Sequence, residues 1–294
     1  MVQSYDLKTE QSIQQELIQR GTLEMPFSCY HLKKTEKGSM ITLPHWHRDI
    51  EILFVEQGII RITVGRETFL TKKGEIVFIN PNEIHSILSE SDDVEYHAIV
   101  FSECLITFPD EHFFQKRITS PLFSGDAVLP RFLSEKEPFY SKIFNDFKKI
   151  SEINFSGDPE ILSFLIHSFS ILLKEERIQS VKKNDRRLPA AIKDSMDYIK
   201  QHFKEKITLT DLARIAHLSE NYYCNCFKEC TGLTAFEYLH TVRIEAGRHL
   251  LVSTDLSIQE IAAKCGFENV GYFIKIFQKK YYTTPKRYRT ELSL

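Results

Sequence analysis

The chain has 294 residues and a formal net charge of −2, with 42% hydrophobic, 12% aromatic and 27% charged residues. This ordinary globular composition excludes collagen-like, low-complexity and disulfide-scaffold proteins, and at about 150 residues a domain the length predicts two domains. Its most apolar stretch, residues 161–173, is shorter than the ~18 residues of a membrane span. The first residues lack the apolar run of a secretory signal, so we expect a cytoplasmic protein whose six cysteines are free thiols.

The first third of the chain has the periodicity of β-strands. Short β-branched and aromatic segments recur without intervening helical patterns, at residues 51–55, 59–64, 67–70, 75–79 and 94–101. Gly58, Gly65, Gly74 and Pro81-Asn82 separate them at turn positions. This pattern predicts an all-β sandwich or barrel.

Histidines and a glutamate stand out within these strands. His45 and His47 are two residues apart, which on one strand places both imidazoles on the same face, with Glu51 able to point the same way. A later strand end brings His85 towards them, and histidines with a carboxylate form the usual site for a divalent transition ion. These segments resemble the two cupin motifs of small double-sheet barrels, although Glu83 replaces the glycine of the second motif and its spacing to His85 is one residue short.

Three interpretations of His45, His47, Glu51 and His85 stay open. They are fold residues that line the interior, or they hydrogen-bond a small polar effector, or they bind a metal, with catalysis by that metal as a minor case. The lone His97, beside Tyr96 on a strand, is more often a core or surface residue than a ligand.

Two helices are predicted after Pro138, at residues 139–153 and 159–177. Asp158-Pro159 opens the second one as an N-cap followed by proline at the first helical position. Its apolar residues cover more than one face, so it is buried either within the domain or against another subunit. Residues 178–188 are polar and charged, which is typical of a linker.

The C-terminal third contains an internal repeat. At an offset of 49 residues, Leu209-x-x-Leu212-Ala213 matches Ile258-x-x-Ile261-Ala262, and after a one-residue slip Tyr222-Tyr223-x-x-x-Phe227 matches Tyr272-Phe273-x-x-x-Phe277. Thr208-x-x-Asp211 resembles a capping box, Ser257-x-x-Glu260 is one, and Ser219 is a candidate N-cap. A small alanine before the bend lets two helices cross closely, so each copy predicts a helix-turn-helix unit.

The second helix of each unit would expose a polar face. The residues predicted to point outward towards DNA are Ser219, Asn221, Cys224, Asn225, Lys228, Asn269, Gly271, Ile274, Lys275 and Lys279. Asparagine and lysine bond base edges and phosphates in the major groove. A single unit would be explained equally well as a helical bundle with a polar surface, whereas two matching copies favour DNA binding.

Further features of this region bear on the same interpretation. One predicted helix, residues 235–251, would separate the two recognition helices, with Phe236, Leu239, Val242, Ala246 and Leu250 on one face. From residue 189 onward there are 15 Lys and Arg against 12 Asp and Glu, whereas the preceding part has 23 against 28. Basic residues within 275–289 suit a polyanion.

Three cysteines of the first unit superficially suggest zinc. Cys224 and Cys226, two apart on a helix, point about 200° away from each other, so they cannot share an ion while the helix persists. Small apolar packing is the expected role of Cys226 and Cys230, and Cys224 is an outward thiol.

The last hundred residues resemble the AraC/XylS family of bacterial transcription regulators. The resemblance rests on Leu209-Thr-Asp-Leu-Ala213, Gly232, Tyr238-Leu239, Arg243-Ile244, Ser257-Ile258-Gln-Glu-Ile-Ala262, Gly266-Phe267 and Thr284-Pro285. It implies promoter binding through two recognition helices, usually to activate transcription. This sequence departs from the family at Tyr282, where glycine is usual, at Gly247, where alanine is common, and at Asn225, often arginine.

Together these features predict an α+β multidomain chain. We expect a cupin-like effector-sensing barrel in residues 1–135, a helical dimerisation segment in 136–180, and an all-α DNA-binding domain in 189–294 with helix-turn-helix units at about 207–230 and 257–281. The predicted function is that of a sequence-specific transcription activator that responds to a small polar effector, with carbohydrate as the first candidate.

The expected partners are double-stranded promoter DNA, the effector, a second copy of the chain and RNA polymerase, with no membrane. No catalytic residue and no cofactor are expected. Two rival functions stay open: a metal-dependent cupin enzyme with a helical interaction domain, and a protein-interaction adaptor whose binding would lack steep salt dependence.

Overall fold

The computed structural model describes residues 3–5, 26–34, 36–153, 158–181, 187–281 and 283–292. These residues divide into two compact units, with the boundary between Arg186 and Arg187. The first unit is built on strands and the second on helices, which confirms the predicted α+β class. Within the described residues no helix is both long and apolar enough to cross a membrane.

The first unit is a double-sheet barrel. Its strands are β1 Gln3–Tyr5, β2 Phe27–Lys34, β3 Met40–His45, β4 Ile50–Gln57, β5 Ile59–Val64, β6 Glu67–Lys72, β7 Ile76–Ile79, β8 His85–Ser89, β9 Val94–Phe101, β10 Ala127–Val128, β11 Phe132–Leu133 and β12 Gln179–Ser180. One sheet has the order β1-β2-β9-β4-β7-β11, the other β3-β8-β5-β6, and β10 pairs with β12. Apart from the parallel pair of β1 and β2, the described strand pairs are antiparallel.

The six-stranded sheet is buried on both faces. Leu53, Val77 and Ala98 face the other sheet and pack in one apolar cluster with Ile60 and Ile62. Neighbouring residues on the same strands belong to a second cluster that also contains helix residues, as the two-residue period of a strand requires. The first six residues of β4 are therefore all buried, which explains its continuous apolar sequence.

Helices cover the outer face of this sheet. They are α1 Ser120–Ser124, α2 Tyr140–Glu152 and α3 Pro159–Lys174. The Asp158 side chain caps α3, as predicted, by accepting a hydrogen bond from the Glu160 amide at 2.9 Å. One face of α3, including Leu165 and Phe169, lies in the core, while Leu162 and Ile166 stay partly exposed. Short helical turns at Glu103–Ile106 and Gln115–Thr119 are additional to the predicted elements.

The second unit contains seven helices among its described residues. They are α4 Arg187–His202, α5 Leu209–Ile215, α6 Glu220–Thr231, α7 Ala235–Ser253, α8 Ile258–Lys264, α9 Val270–Tyr281 and α10 Pro285–Leu292. Both predicted capping boxes are present, and a third one, Thr234 with Glu237, opens α7. Ser219 occupies the N-cap position of α6, but its side chain makes no capping hydrogen bond. Residue Tyr282 lies outside the described residues.

Helix α7 differs from the prediction of a single apolar face. Residues on every side of it are buried, including Tyr238, Ile244 and Leu251, while Phe236, assigned to the buried face, is 40% exposed. The helix runs unbroken through Gly247, so the expected local change of a helix end there is wrong. Its absent side chain instead makes room for Phe273, whose ring would lie 2.7 Å from a Cβ at this position.

Candidate nucleic-acid interface and barrel site

The two helix-turn-helix units share the same turn. In the first unit the Leu218 amide donates to the Ala213 carbonyl at 2.9 Å, and in the second the Phe267 amide donates to the Ala262 carbonyl at the same distance. The sequence offset of 49 residues therefore corresponds to equivalent hydrogen bonds. Within each turn one residue has positive φ, at 54° for His217 and 81° for Gly266.

Helix α6 presents one face to the core and one to solvent. Tyr223, Cys226 and Phe227 are buried, and the Tyr223 hydroxyl donates to Ser195 Oγ on α4 at 3.2 Å. Burial raises the pKa of the Tyr223 hydroxyl, so this residue stays neutral. The predicted DNA-contacting residues of this unit are all exposed: Ser219, Asn221, Cys224, Asn225 and Lys228.

Helix α9 repeats this arrangement. Phe273 and Phe277 are fully buried, and the predicted outward residues Asn269, Gly271, Lys275 and Lys279 are exposed. Ile274 is only partly exposed because it packs against the apolar cluster of this unit. Asn269 already has a structural role, since its Oδ1 accepts a hydrogen bond from the Tyr272 amide at 3.0 Å and so caps α9.

A buried ionic cluster fixes the end of α9 to α7. Glu245 accepts hydrogen bonds from the Tyr281 hydroxyl at 2.6 Å and from Lys280, and its other oxygen accepts from Arg248 Nε at 3.1 Å. Burial alone would raise the pKa of Glu245, but these neighbours bring it below its usual value. The recognition helix is thus held by a carboxylate 35 positions away, which the sequence analysis missed.

Two arginines also hold the loops that precede the units. Arg243 on α7 donates to the carbonyls of Phe203 and Glu205, at 2.7 and 2.8 Å, just after α4 ends. Arg289 on α10 does the same for Leu251 and Leu256, at 3.1 and 2.7 Å, around the end of α7. Carbonyls at helix ends lack helical partners, so each arginine stabilises the entry to one unit.

Two exposed tyrosines border the polar faces. Tyr222 is 50% and Tyr272 46% exposed, and they occupy equivalent positions in the first turn of α6 and α9. Each precedes a predicted contact residue by three positions, Asn225 and Lys275, and therefore lies on the same side of its helix. The repeat had aligned these tyrosines, but sequence reasoning assigned them no contact with DNA.

The structure brings the four predicted barrel residues together. Nε2 of His47 and Nε2 of His85 lie 3.0 and 3.2 Å from the same oxygen of Glu51. His45 pairs with His85 across β3 and β8, with ring centroids 4.1 Å apart. The route differs from the prediction, because β3 ends at His45 and His47 lies in the loop before β4. His47, Glu51 and His85 are buried and His45 is partly buried.

These four residues form a group that could hold a metal ion, with one ligand atom from each lying within 4.8 Å of the others. Burial would raise the pKa of Glu51, yet the hydrogen bonds and charges of His47 and His85 bring it well below its usual value. The carboxylate is therefore ionised in the barrel.

The residue that replaces the motif glycine has its own structural role. Both oxygens of Glu83 accept hydrogen bonds from the guanidinium of Arg131 at 2.7 Å, and one also accepts from the Asn80 amide at 2.8 Å. The Asn82 amide donates to the His47 carbonyl at 2.8 Å. This network fixes the loop that leads into His85.

A second histidine cluster lies elsewhere on the six-stranded sheet. His97 stacks on His31, with centroids 4.3 Å apart and ring planes within 3°, and its Nε2 lies 3.3 Å from Glu56. Burial and the neighbouring His31 lower the pKa of His97, against the opposing effect of Glu56. The sequence analysis treated His97 as a lone residue because its pairing with His31 on β2 depends on strand register.

All six cysteines are free. Cys226 and Cys230 are buried on the inner face of α6, while Cys224 is exposed on the outer face. This arrangement agrees with the helical-spacing argument against a shared ion.

Comparisons with known proteins match both units. Residues 41–107 match the model of the AraC-like ligand binding domain, and residues 212–291 match that of a helix-turn-helix domain. Together these matches cover half of the chain. The chain belongs to the AraC/XylS family of transcription regulators. The two matched ranges contain every predicted site residue, and nothing in the matches supports the alternative of a metal-dependent cupin enzyme.

Individual relatives are also regulators. YdeC of Bacillus subtilis, whose name describes an uncharacterized HTH-type transcriptional regulator, is 22% identical over 93% of this chain and 95% of its own. The xylose operon regulatory protein of Escherichia coli is 39% identical over 34% of this chain and 26% of its own. Among solved structures, ToxT from Vibrio cholerae aligns with 91% of this chain and 99% of its own, at 17% identity and a TM-score of 0.48.

Proposed function

We propose that this regulator binds promoter DNA by placing α6 and α9 in the major groove. The exposed side chains Asn221, Asn225 and Lys275 would reach base edges, while Lys228 and Lys279 would bind phosphates. Ser219, Cys224, Gly271 and Ile274 would complete the contacting faces, and Asn269 would contribute mainly by capping α9. Two matching units that each expose a polar helix face are the observation that carries this proposal.

The exposed tyrosines extend the proposed interface. Tyr222 and Tyr272 stand beside the predicted contact residues, and a tyrosine hydroxyl can donate to a phosphate oxygen. Such contacts fix the register of a helix in the groove but do not specify a base. If the recognition helices are about 34 Å apart, as one helical turn of DNA requires, both would enter successive grooves on one side of the duplex.

The barrel is proposed to bind the effector, through His45, His47, Glu51 and His85. A buried carboxylate with three imidazoles favours a small polar molecule, and a carbohydrate is the first candidate because one relative is a xylose operon regulatory protein. Effector binding would shift the population of DNA-binding arrangements if it binds them with different affinities. The regulator would act as an activator together with RNA polymerase.

We further propose a cytoplasmic homodimer without enzymatic activity. The partly exposed apolar side chains of α3, among them Leu162 and Ile166, are one candidate contact surface, and the barrel is the other. A dimer would present four recognition helices to paired sites. The domains follow as the barrel in 1–135, the helical segment in 136–180 and the DNA-binding domain in 189–294.

The test is a DNA-binding measurement across salt concentrations. Duplexes selected by the full chain from a random library serve as targets, and Asn225→Ala and Lys275→Ala are compared with Lys142→Ala, an exposed lysine of α2. Each change at a base contact should weaken specific binding by about 1 to 3 kcal/mol. Lys142→Ala should bind as the parent does.

The same measurement separates the rival function. An adaptor that uses this face for another protein would select no DNA sequence, and any weak binding would be unaffected by Asn225→Ala. Equal affinities of the parent and both α6 and α9 variants for the selected duplex would therefore contradict the proposal.

A further inference from the structure

The barrel histidines are all oriented by main-chain carbonyls. Nδ1 of His45 donates to the Leu43 carbonyl at 2.9 Å, Nδ1 of His47 to that of Asp49 at 3.1 Å, and Nδ1 of His85 to that of Glu83 at 2.9 Å. A carbonyl oxygen only accepts hydrogen bonds, so the proton of each neutral ring must be on Nδ1. The other nitrogen, Nε2, then carries a lone pair.

The lone pairs meet an ionised carboxylate. Nε2 of His47 and Nε2 of His85 are within 3.2 Å of one oxygen of Glu51, although neutral rings with Nδ1 protonated offer no hydrogen there. Acceptors that face one another repel unless positive charge lies between them. Either two rings are doubly protonated or a divalent cation occupies the focus, and the two alternatives bring the same total charge.

The metal alternative fits the geometry better. Two imidazolium rings would be buried side by side, with centroids 5.0 Å apart and with only one carboxylate to neutralise them. A cation would instead bind all four residues, whose ligand atoms lie within 4.8 Å of one another. Donation from Nδ1 to a carbonyl is also the outer-shell bond that orients metal-binding histidines.

The second histidine cluster serves as an internal comparison. His31 and His97 stack with parallel planes, so their in-plane lone pairs do not converge on a common point. Nε2 of His31 is bonded to Glu95 at 2.5 Å, and that carboxylate also pairs with Lys33. Similar residue types therefore lack a shared focus at this place.

We propose that His45, His47, Glu51 and His85 bind one divalent transition-metal ion, and that this ion is the polar anchor of the sensing barrel. Three imidazoles and one carboxylate favour Zn²⁺, Ni²⁺ or Fe²⁺ over Mg²⁺ and Ca²⁺, which prefer oxygen ligands. The proposal deepens the effector site of the proposed function and rests on it only for the sensing role. Metal binding itself is independent of DNA recognition.

The experiment measures metal binding by the full chain. Protein stripped with a chelator and dialysed is titrated with Zn²⁺ and separately with Ni²⁺, and bound metal is counted by elemental analysis after equilibrium dialysis. We expect one ion per chain for each metal and none retained with Mg²⁺. His85→Ala and Glu51→Gln should each weaken binding by at least about 100-fold, since changes to outer-shell partners alone cost 10- to 100-fold.

Matched variants keep the result decisive. His31→Ala removes an equally typical imidazole from the other cluster and should leave the metal affinity unchanged. Because His85→Ala removes a buried ring, far-UV circular dichroism must show the parent fold, and Glu51→Gln preserves the side-chain shape if it does not. Absence of stoichiometric binding, or equal binding by the parent and Glu51→Gln, would overturn the metal site.

The sensing role is read on the same samples. Affinity for the selected duplex is measured with and without Zn²⁺ or Ni²⁺, and a metal-dependent change that is lost in Glu51→Gln supports the anchor role. Stoichiometric metal without any change in DNA affinity would refute that role but not the metal site. Loss of DNA selection in both forms would instead refute the proposed function.

Discussion

The two helix-turn-helix units share their turn and their caps but differ in what holds the recognition helix. Helix α6 is fixed through Tyr223 and its contact with α4, whereas α9 is fixed by Phe273 on Gly247 and by the Glu245 cluster. The outer face of α6 is mainly asparagine with one lysine, and that of α9 carries Lys275 and Lys279. This difference suggests that the first unit contributes more base discrimination and the second more phosphate affinity.

The largest expected effect comes from the anchor that only the second unit has. Glu245→Ala leaves Arg248 buried without its carboxylate, and breaking a buried pair costs about 3 to 5 kcal/mol. Urea unfolding followed by far-UV circular dichroism should show this loss, while the fluorescence of Trp46, the single tryptophan, follows the first unit separately. The exposed control Glu268→Ala should change little.

The same anchor predicts a pH dependence. The folded-state pKa of Glu245 lies below its usual value, so its stabilisation is present above the unfolded pKa of about 4.3 and is lost as the pH falls through the folded value. Glu245→Gln should remove this part of the acid sensitivity. An identical fall in stability for the parent and this variant would contradict the assignment.

The next effect tests the turn of the second unit. In Gly266→Ala the new Cβ would lie 2.8 Å from the carbonyl oxygens of Phe203 and Lys204, in a backbone conformation with φ of 81°. We expect a loss of about 2 to 3 kcal/mol in the same unfolding measurement, from left-handed strain and overpacking. Gly232→Ala, at φ of 75° with open space around it, separates the strain from the clash.

The smallest effect is a gain in the first unit. His217 is exposed and has φ of 54° at the position equivalent to Gly266. His217→Gly relieves left-handed strain, partly offset by the larger backbone entropy of glycine in the unfolded chain, so we expect a gain of about 0.5 to 1 kcal/mol. Thermal unfolding of the parent, His217→Gly and His217→Ala measures it, and a destabilised glycine variant would refute the strain argument.

Local patterns predicted much of this molecule. The capping boxes, the repeat and the outward positions of α6 and α9 depend on spacing within one helix, and the strands of the barrel depend on two-residue alternation. The convergence of His45, His47, Glu51 and His85 was also anticipated, although the loop position of His47 was not.

Contacts between distant residues were beyond a single sequence. Arg243 and Arg289 reach carbonyls 38 to 40 and 33 to 38 positions away, and the pair of Glu83 and Arg131 spans 48. Their side chains have no periodic signature, because they act at loops and helix ends. The outer faces of α7 were misjudged for a related reason, since a helix buried all round has no distinct polar stripe.

Helix α7 contributes to both units, with Tyr238 beside Phe227 and Gly247 beneath Phe273. It therefore acts as a ruler between the two reading heads. Inserting one residue would turn one head by about 100° and move it by about 1.5 Å relative to the other, so the gap between the DNA words they read can change during evolution only by nearly whole turns of this helix.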